Sequence, residues 1–170
     1  MADVTISSLP LGTPSGSGLI PYSQGGTTYS VSLSSLSNYK PMFFGSLTNG
    51  NATSENIIKI NNVSVNRGNC YNSTTGQFTV PFDGVYKASA NVIIGTGGAG
   101  YSQSDINLRK NGTVLINMLG AGTYWNNVSI LYFVNAQKND TIDFYGPTNV
   151  AGGGYIYGFG INGFSIEYVE

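Results

Sequence analysis

The 170-residue chain contains no histidine and a single cysteine, Cys70. An intramolecular disulfide is therefore impossible. Cys/His zinc sites are excluded, and so is catalysis that rests on a histidine base, the Ser-His-Asp arrangement included. Charge is nearly as scarce: Asp, Glu, Lys and Arg make up 9% of residues, against roughly 25% in soluble domains. A net charge of −1 offers no basic field to nucleic acid and no polybasic face to a membrane. The eight acids form no recognisable paired-carboxylate motif, so the chain reads as a non-enzyme with no cofactor and no metal. Apolar runs stay far short of the ~20 residues of a membrane-spanning helix. The opening "MADVTISSLPLG" lacks the basic region and apolar core of a secretory signal. Without such a signal, the six Asn-X-Ser/Thr triplets beginning at Asn51, Asn62, Asn72, Asn111, Asn127 and Asn139 carry no weight.

Glycine, serine, threonine and asparagine supply the polarity that charge does not. The first forty residues differ from the rest. "TPSGSG" and "SQGG" are linker or turn chemistry around a short apolar patch, "LIPY". In "TTYSVSLSSL", Tyr29, Val31 and Leu33 alternate with serines, which predicts a strand, with Leu36 as a further anchor. Residues 1–40 thus read as an arm, and 41–170 as the domain. An arm this small cannot bury its own apolar residues.

From about Phe43 the pattern is strand after strand. Tyr86, Ala88, Ala90 and Val92 share one face, with Lys87, Ser89 and Asn91 on the other. "LRKNGTVLI" predicts a hairpin whose Asn111-Gly112 turn needs two positive-φ residues. "NVSILYFVNAQKNDTIDFYG" gives two more runs, and no segment keeps a 3.6-residue apolar period. The expected class is all-β, an antiparallel sandwich. Two runs carry apolar side chains on both faces. Val128, Ile130, Tyr132 and Val134 oppose Leu131 and Phe133, while Tyr155, Tyr157, Phe159 and Ile161 alternate with Ile156 and glycines. A sandwich strand needs only one buried face. The second face is either covered by another subunit or a scatter of surface aromatics.

The spacing Asn66, four residues, Tyr71, six residues, Phe78, five residues, Gly84, one residue, Tyr86 resembles the signature of the complement component 1q globular head, one of the tumour-necrosis-factor-like jelly rolls. "LRKNG", "NAQKNDTIDF" and "INGFSI" are similar to further family phrases, and the likeness spans residues 56 to 168. Ile60, Ala88 and Ala90 stand where the family has aromatics. The resemblance implies a ten-strand jelly roll that forms a trimer with aromatics along its axis, and the interface candidates are Tyr132, Phe133, Tyr155, Tyr157 and Phe159. Tyr71, Phe78, Gly84, Tyr86 and Phe164 are core candidates, Gly84 because it permits the turn into the next strand.

The arm resembles the opening of tailed-bacteriophage virion proteins through Ile6, Ser7, Leu9 and Pro10, then Gly18, Leu19, Ile20 and Pro21. That likeness implies a virion protein on the phage particle surface. Its partners would be itself, as a homotrimer, and the major capsid protein or another virion protein. The docking candidates are Ile6, Leu9, Leu19, Ile20, Tyr29, Val31 and Leu33. Lack of room for a fibre shaft favours a capsid decoration or cement protein. The alternative is a short fibre or receptor-binding tip for host-surface glycan, with Trp125 either stacking on a sugar or packing over a sheet end. "GTGGAG" at 95–100 matches a phosphate-loop pattern but precedes a strand, so it reads as a loop. Asp83, Asp105, Asp140 and Asp143 read as turn residues rather than calcium ligands.

Overall fold

The computed structural model describes residues 19–24, 27–32, 40–48, 56–95, 102–122, 125–148, 155–157 and 162–170. It divides into two compact units, Met1–Tyr39 and Lys40–Glu170. Among the described residues there is no helix. In the first unit, β1 (Leu19–Gln24) and β2 (Thr27–Ser32) pair antiparallel, Leu19 opposite Ser32 through Gln24 opposite Thr27. The runs LIPYSQ and TTYSVS are thus two strands of one antiparallel pair. Ile6, Leu9, Leu33, Leu36 and Phe159 lie outside the described residues, as do the side chains of Leu19, Ile20, Tyr29, Val31 and Tyr155.

The second unit is a two-sheet antiparallel sandwich. Its strands are β3 (Met42–Ser46), β4 (Asn62–Arg67), β5 (Tyr71–Asn72), β6 (Gln77–Thr79), β7 (Gly84–Gly95), β8 (Ser102–Lys110), β9 (Thr113–Gly122), β10 (Trp125–Ala136), β11 (Thr141–Thr148), β12 (Tyr155–Ile156) and β13 (Gly163–Tyr168). One sheet runs β10-β7-β13-β3-β4, with β12 also on β7. The other runs β5-β6-β11-β8-β9. The β8–β9 hairpin turns through Asn111 and Gly112 at φ 51° and 77°, with Lys110 opposite Thr113. Arg109 then lies opposite Val114, and a bulge between Arg109 and Leu108 sets Ile116 opposite Leu108.

Alternation decides what is inside. Tyr86, Ala88, Ala90, Val92 and Ile94 of β7 point into the core, as do Val128, Ile130 and Val134 of β10. Phe43, Phe78, Phe144 and Phe164 fill the middle, and the rings of Phe144 and Phe164 meet at 5.3 Å. The Phe43 and Tyr71 rings stack at 3.9 Å, and the Tyr71 hydroxyl accepts a hydrogen bond from Ile60 N at 2.8 Å. Gly84 enters β7 where a Cβ would stand 2.5 Å from both Glu170 O and the Tyr168 ring. Close approach of the C-terminal strand, more than a turn, reserves this position for glycine.

Candidate functional site

Solvent-facing apolar side chains gather on the outer face of the six-stranded sheet. Outward residues of β10 alternate with its buried ones, leaving Leu131 65%, Phe133 57% and Trp125 52% exposed. Cross-strand register extends this face into rows. Leu131 lies opposite Ser89, Ser89 opposite Ser165, and Ser165 opposite the exposed Phe44. Phe133 lies opposite Lys87, Lys87 opposite Glu167, and Glu167 opposite Met42. In the middle of the face, Ser89 and Ser165 share a 2.7 Å hydrogen bond, and Lys87 pairs with Glu167. Adjacent strands lie ~4.8 Å apart, so a polar centre about three strand spacings wide separates two apolar margins.

Next to the Leu131–Phe133 margin, the edges of both sheets coincide. β9 ends one sheet and β10 the other. From Thr113 to Ala136 no residue is Asp, Glu, Lys, Arg or Pro. Exposed edges are normally blunted by those residue types; this flank has none of them, and Val114 and Leu119 are exposed along it.

Tyr132 turns inward on β10 and packs, partly buried, against the core, so Leu131 and not Tyr132 shares the outer face with Phe133. Tyr157 is half-buried and meets Trp125 edge-on, ring centroids 5.0 Å apart and planes at 86°. Tyr71, Phe78, Tyr86 and Phe164 are buried. Burial pushes the Tyr71 and Tyr86 phenols up to about 12, and it raises the Cys70 thiol as well.

Asp140 closes its own turn by accepting from Gln137 N and is joined by Asn111 Nδ2, while Asp83, at the turn before β7, accepts from Lys138 N and so ties its turn to the one between β10 and β11. The Asn111 bond leads in holding the Asp140 carboxyl below its ordinary value. Asp105 and Asp143, however, sit within β8 and β11 and are buried. Asn117 Nδ2 donates to Asp105 at 2.8 Å, and Arg109 Nε to Asp143 at 2.7 Å. Both belong to a polar strip on the outer side of the five-stranded sheet, where a partner on the next strand replaces solvent. Among the described residues no three His, Cys, Asp or Glu side chains group as metal ligands.

Residues 42–142 match the C1q domain. The chain belongs to that family. Curated proteins give no match. Among solved structures, the chain is similar to the globular domain of zebrafish complement 1qA protein, at 15% identity and a TM-score of 0.57, covering 76% of this chain and 98% of that one. It is also similar to murine APRIL, at 10% identity and a TM-score of 0.54, covering 76% and 99% respectively. At such identities the likeness lies in the fold. C1q/TNF-like domains self-associate as trimers, and the open face and flank described above are where this C1q domain presents apolar surface.

Proposed function

We propose that this C1q domain is a non-enzymatic structural protein of a bacteriophage virion, a homotrimer docked on the head by its N-terminal arm as a decoration or cement protein. The observation that carries the self-association is the pair of separate apolar margins, Leu131 with Phe133 and, across the polar centre, Phe44. A contact between two different patches is head-to-tail, and such contacts close into a three-membered ring when each step rotates the subunit by a third of a turn. An uncharged flank fits such a contact because it buries no unpaired ion.

The virion assignment is supported by the arm's two phrases, Ile6 to Pro10 and Gly18 to Pro21. The arm's sequence carries Ile6, Leu9 and Leu33 as well as Leu19, Ile20, Tyr29 and Val31 of its hairpin. A two-stranded hairpin is marginal in water. Among the described residues β2 pairs with β1 alone, and its second edge suits strand addition to a sheet of the particle. Half-exposed Trp125 favours a second reading, a receptor-binding tip for host glycan.

Particles lacking the protein, mixed with the full chain, test the assignment. Hundreds of copies bound per particle support decoration, a few trimers support the tip, and no binding overturns both. In the same assay a chain starting at Lys40 should fold and trimerise without binding.

A further inference from the structure

The flank away from β9 and β10 holds a different feature. There β4 ends one sheet and β5 the other. Val63, Asn66, Asn69, Tyr71, Asn72 and Ser73 line a pocket of about 400 Å³, within the ~300–1,000 Å³ usual for small-molecule sites. Its wall is mainly polar, yet no lining residue is charged at neutral pH. The wall is also fixed in place. Asn66 grips the Tyr71 backbone twice, Nδ2 to Tyr71 O at 2.8 Å and Tyr71 N to Oδ1 at 3.0 Å. Asn69 is held at φ 53° after Gly68 at φ 84°. Asn72 Oδ1 accepts from Thr74 N at 2.9 Å and Thr75 N at 3.3 Å, and Gly76 N closes that turn on Asn72 O at 2.8 Å.

Asn66 spends both its amide nitrogen and its oxygen on Tyr71, whereas the exposed Asn69 and Asn72 side chains take part only through their oxygens. Among the described residues no hydrogen bond engages the amide nitrogens of Asn69 and Asn72 or the Ser73 hydroxyl. We propose that this pocket binds one sugar residue of a neutral glycan. Sugar hydroxyls accept from amide nitrogens and exchange hydrogen bonds with a serine hydroxyl, and Val63 offers an apolar spot to a C–H face. An anionic or cationic ligand would enter without a counter-charge. Because the rim is already ordered, binding loses little conformational entropy. The aromatic pair Trp125–Tyr157 is not part of this site.

The test is an NMR titration of the full-length, isotope-labelled protein with D-glucose, D-galactose and N-acetyl-D-glucosamine in turn, and D-glucuronate as the charged control. At least one neutral sugar should shift the side-chain amides of Asn69 and Asn72 and saturate in the millimolar range. Asn69→Ala should weaken binding several-fold. Asn72→Asp keeps the turn-capping oxygen, removes the donor and should weaken it about tenfold, ~1.4 kcal/mol. No shift at ~100 mM sugar, shifts centred on Trp125, or tighter binding of glucuronate would each overturn the proposal. Particle binding and trimer formation do not enter this readout, so a monomer that still takes the sugar would refute the assembly reading and leave the pocket standing.

Discussion

Arg109 and Asp143 face each other across β8 and β11, Nε to Oδ1 at 2.7 Å, with the Asp143 side chain fully withdrawn from solvent. The guanidinium also lies 4.0 Å from the centre of the Tyr145 ring, and Gln77 Nε2 approaches the second carboxylate oxygen at 3.4 Å. Removing one member strands the other. Arg109→Ala should cost about 3 kcal/mol, the low end for a broken buried pair. Urea denaturation would read this as a lower midpoint at unchanged slope, and a loss below about 1 kcal/mol would mean that solvent reaches the pair in solution.

Alkaline pH should unfold the domain through two phenols. Tyr71 and Tyr86 are raised by burial from about 10 to about 12. A raised folded value means that their contribution is complete below pH 10, where the phenols are neutral in both states. It is lost as pH climbs through 12, since the unfolded chain ionises first. The buried Cys70 thiol, raised from its ordinary 9.0, acts in the same direction earlier, so thermal melts should be flat from neutrality to about pH 8, decline gently, and fall steeply beyond about pH 10. Tyr86→Phe should soften the fall, at the expense of the 2.8 Å bond from the Tyr86 hydroxyl to Phe82 O.

Light scattering of the purified protein should give three times 17.9 kDa. Phe133→Asp and Leu131→Asp should each yield a folded monomer, because both positions face outward in the single chain and the new carboxylate would be buried only in the assembly. Tyr157→Asp should also break the trimer if that residue faces the axis. A wild-type monomer at micromolar concentration would remove the interface altogether.

Gly84→Ala should destabilise by at least 1–3 kcal/mol, the range for overpacking. A Cβ there meets the backbone oxygen of Glu170, which cannot swing away as a flexible side chain would. Val85 N also donates to that same oxygen at 2.6 Å, so the added methyl should loosen the end of the chain. Faster amide exchange at Val85 and Val169 would report it.

Chelators and reductants should leave the melting temperature unchanged. Cys70 is buried, donates its thiol hydrogen to Gly68 O and has its ionisation raised by burial, so the reactive thiolate is scarce. A large drop with a chelator would mean that Asp105 or Asp143 holds an ion as well as its strand partner.

Where local chemistry decided the structure, the residues could be read directly. Asn111-Gly112 dictates its turn, and strict alternation through Tyr86–Val92 and Val128–Val134 assigns faces without any tertiary knowledge. The arm's hairpin is hard to read because "LIPYSQ" carries a proline and no alternation, and only the Gly-Gly that follows hints at it. Aromatic character alone suggests an interface place for Tyr132, while parity puts it on the core side with Ile130. Asp105 and Asp143 look like turn residues in sequence because nothing along the chain reveals that Asn117 and Arg109 lie one strand away. The Asn-lined pocket follows from how Asn66, Asn69 and Asn72 fold around Tyr71, and its one linear trace is the density of asparagine between residues 61 and 72.

β13 lies between β7 and β3, with Phe164 opposite Ala90 on one side and Gly45 on the other. Until residues 163–168 have left the ribosome, the larger sheet exists as two unjoined halves. Its contacts with β3 span more than a hundred residues of chain, a separation that slows folding. An incomplete chain therefore exposes the sticky edges of β7 and β3 together with the uncharged β9–β10 flank, the conditions under which nascent chains aggregate. Vectorial synthesis thus makes β13 the latch that permits assembly, and a polypeptide stopped at residue 160 is expected in the insoluble fraction rather than among trimers.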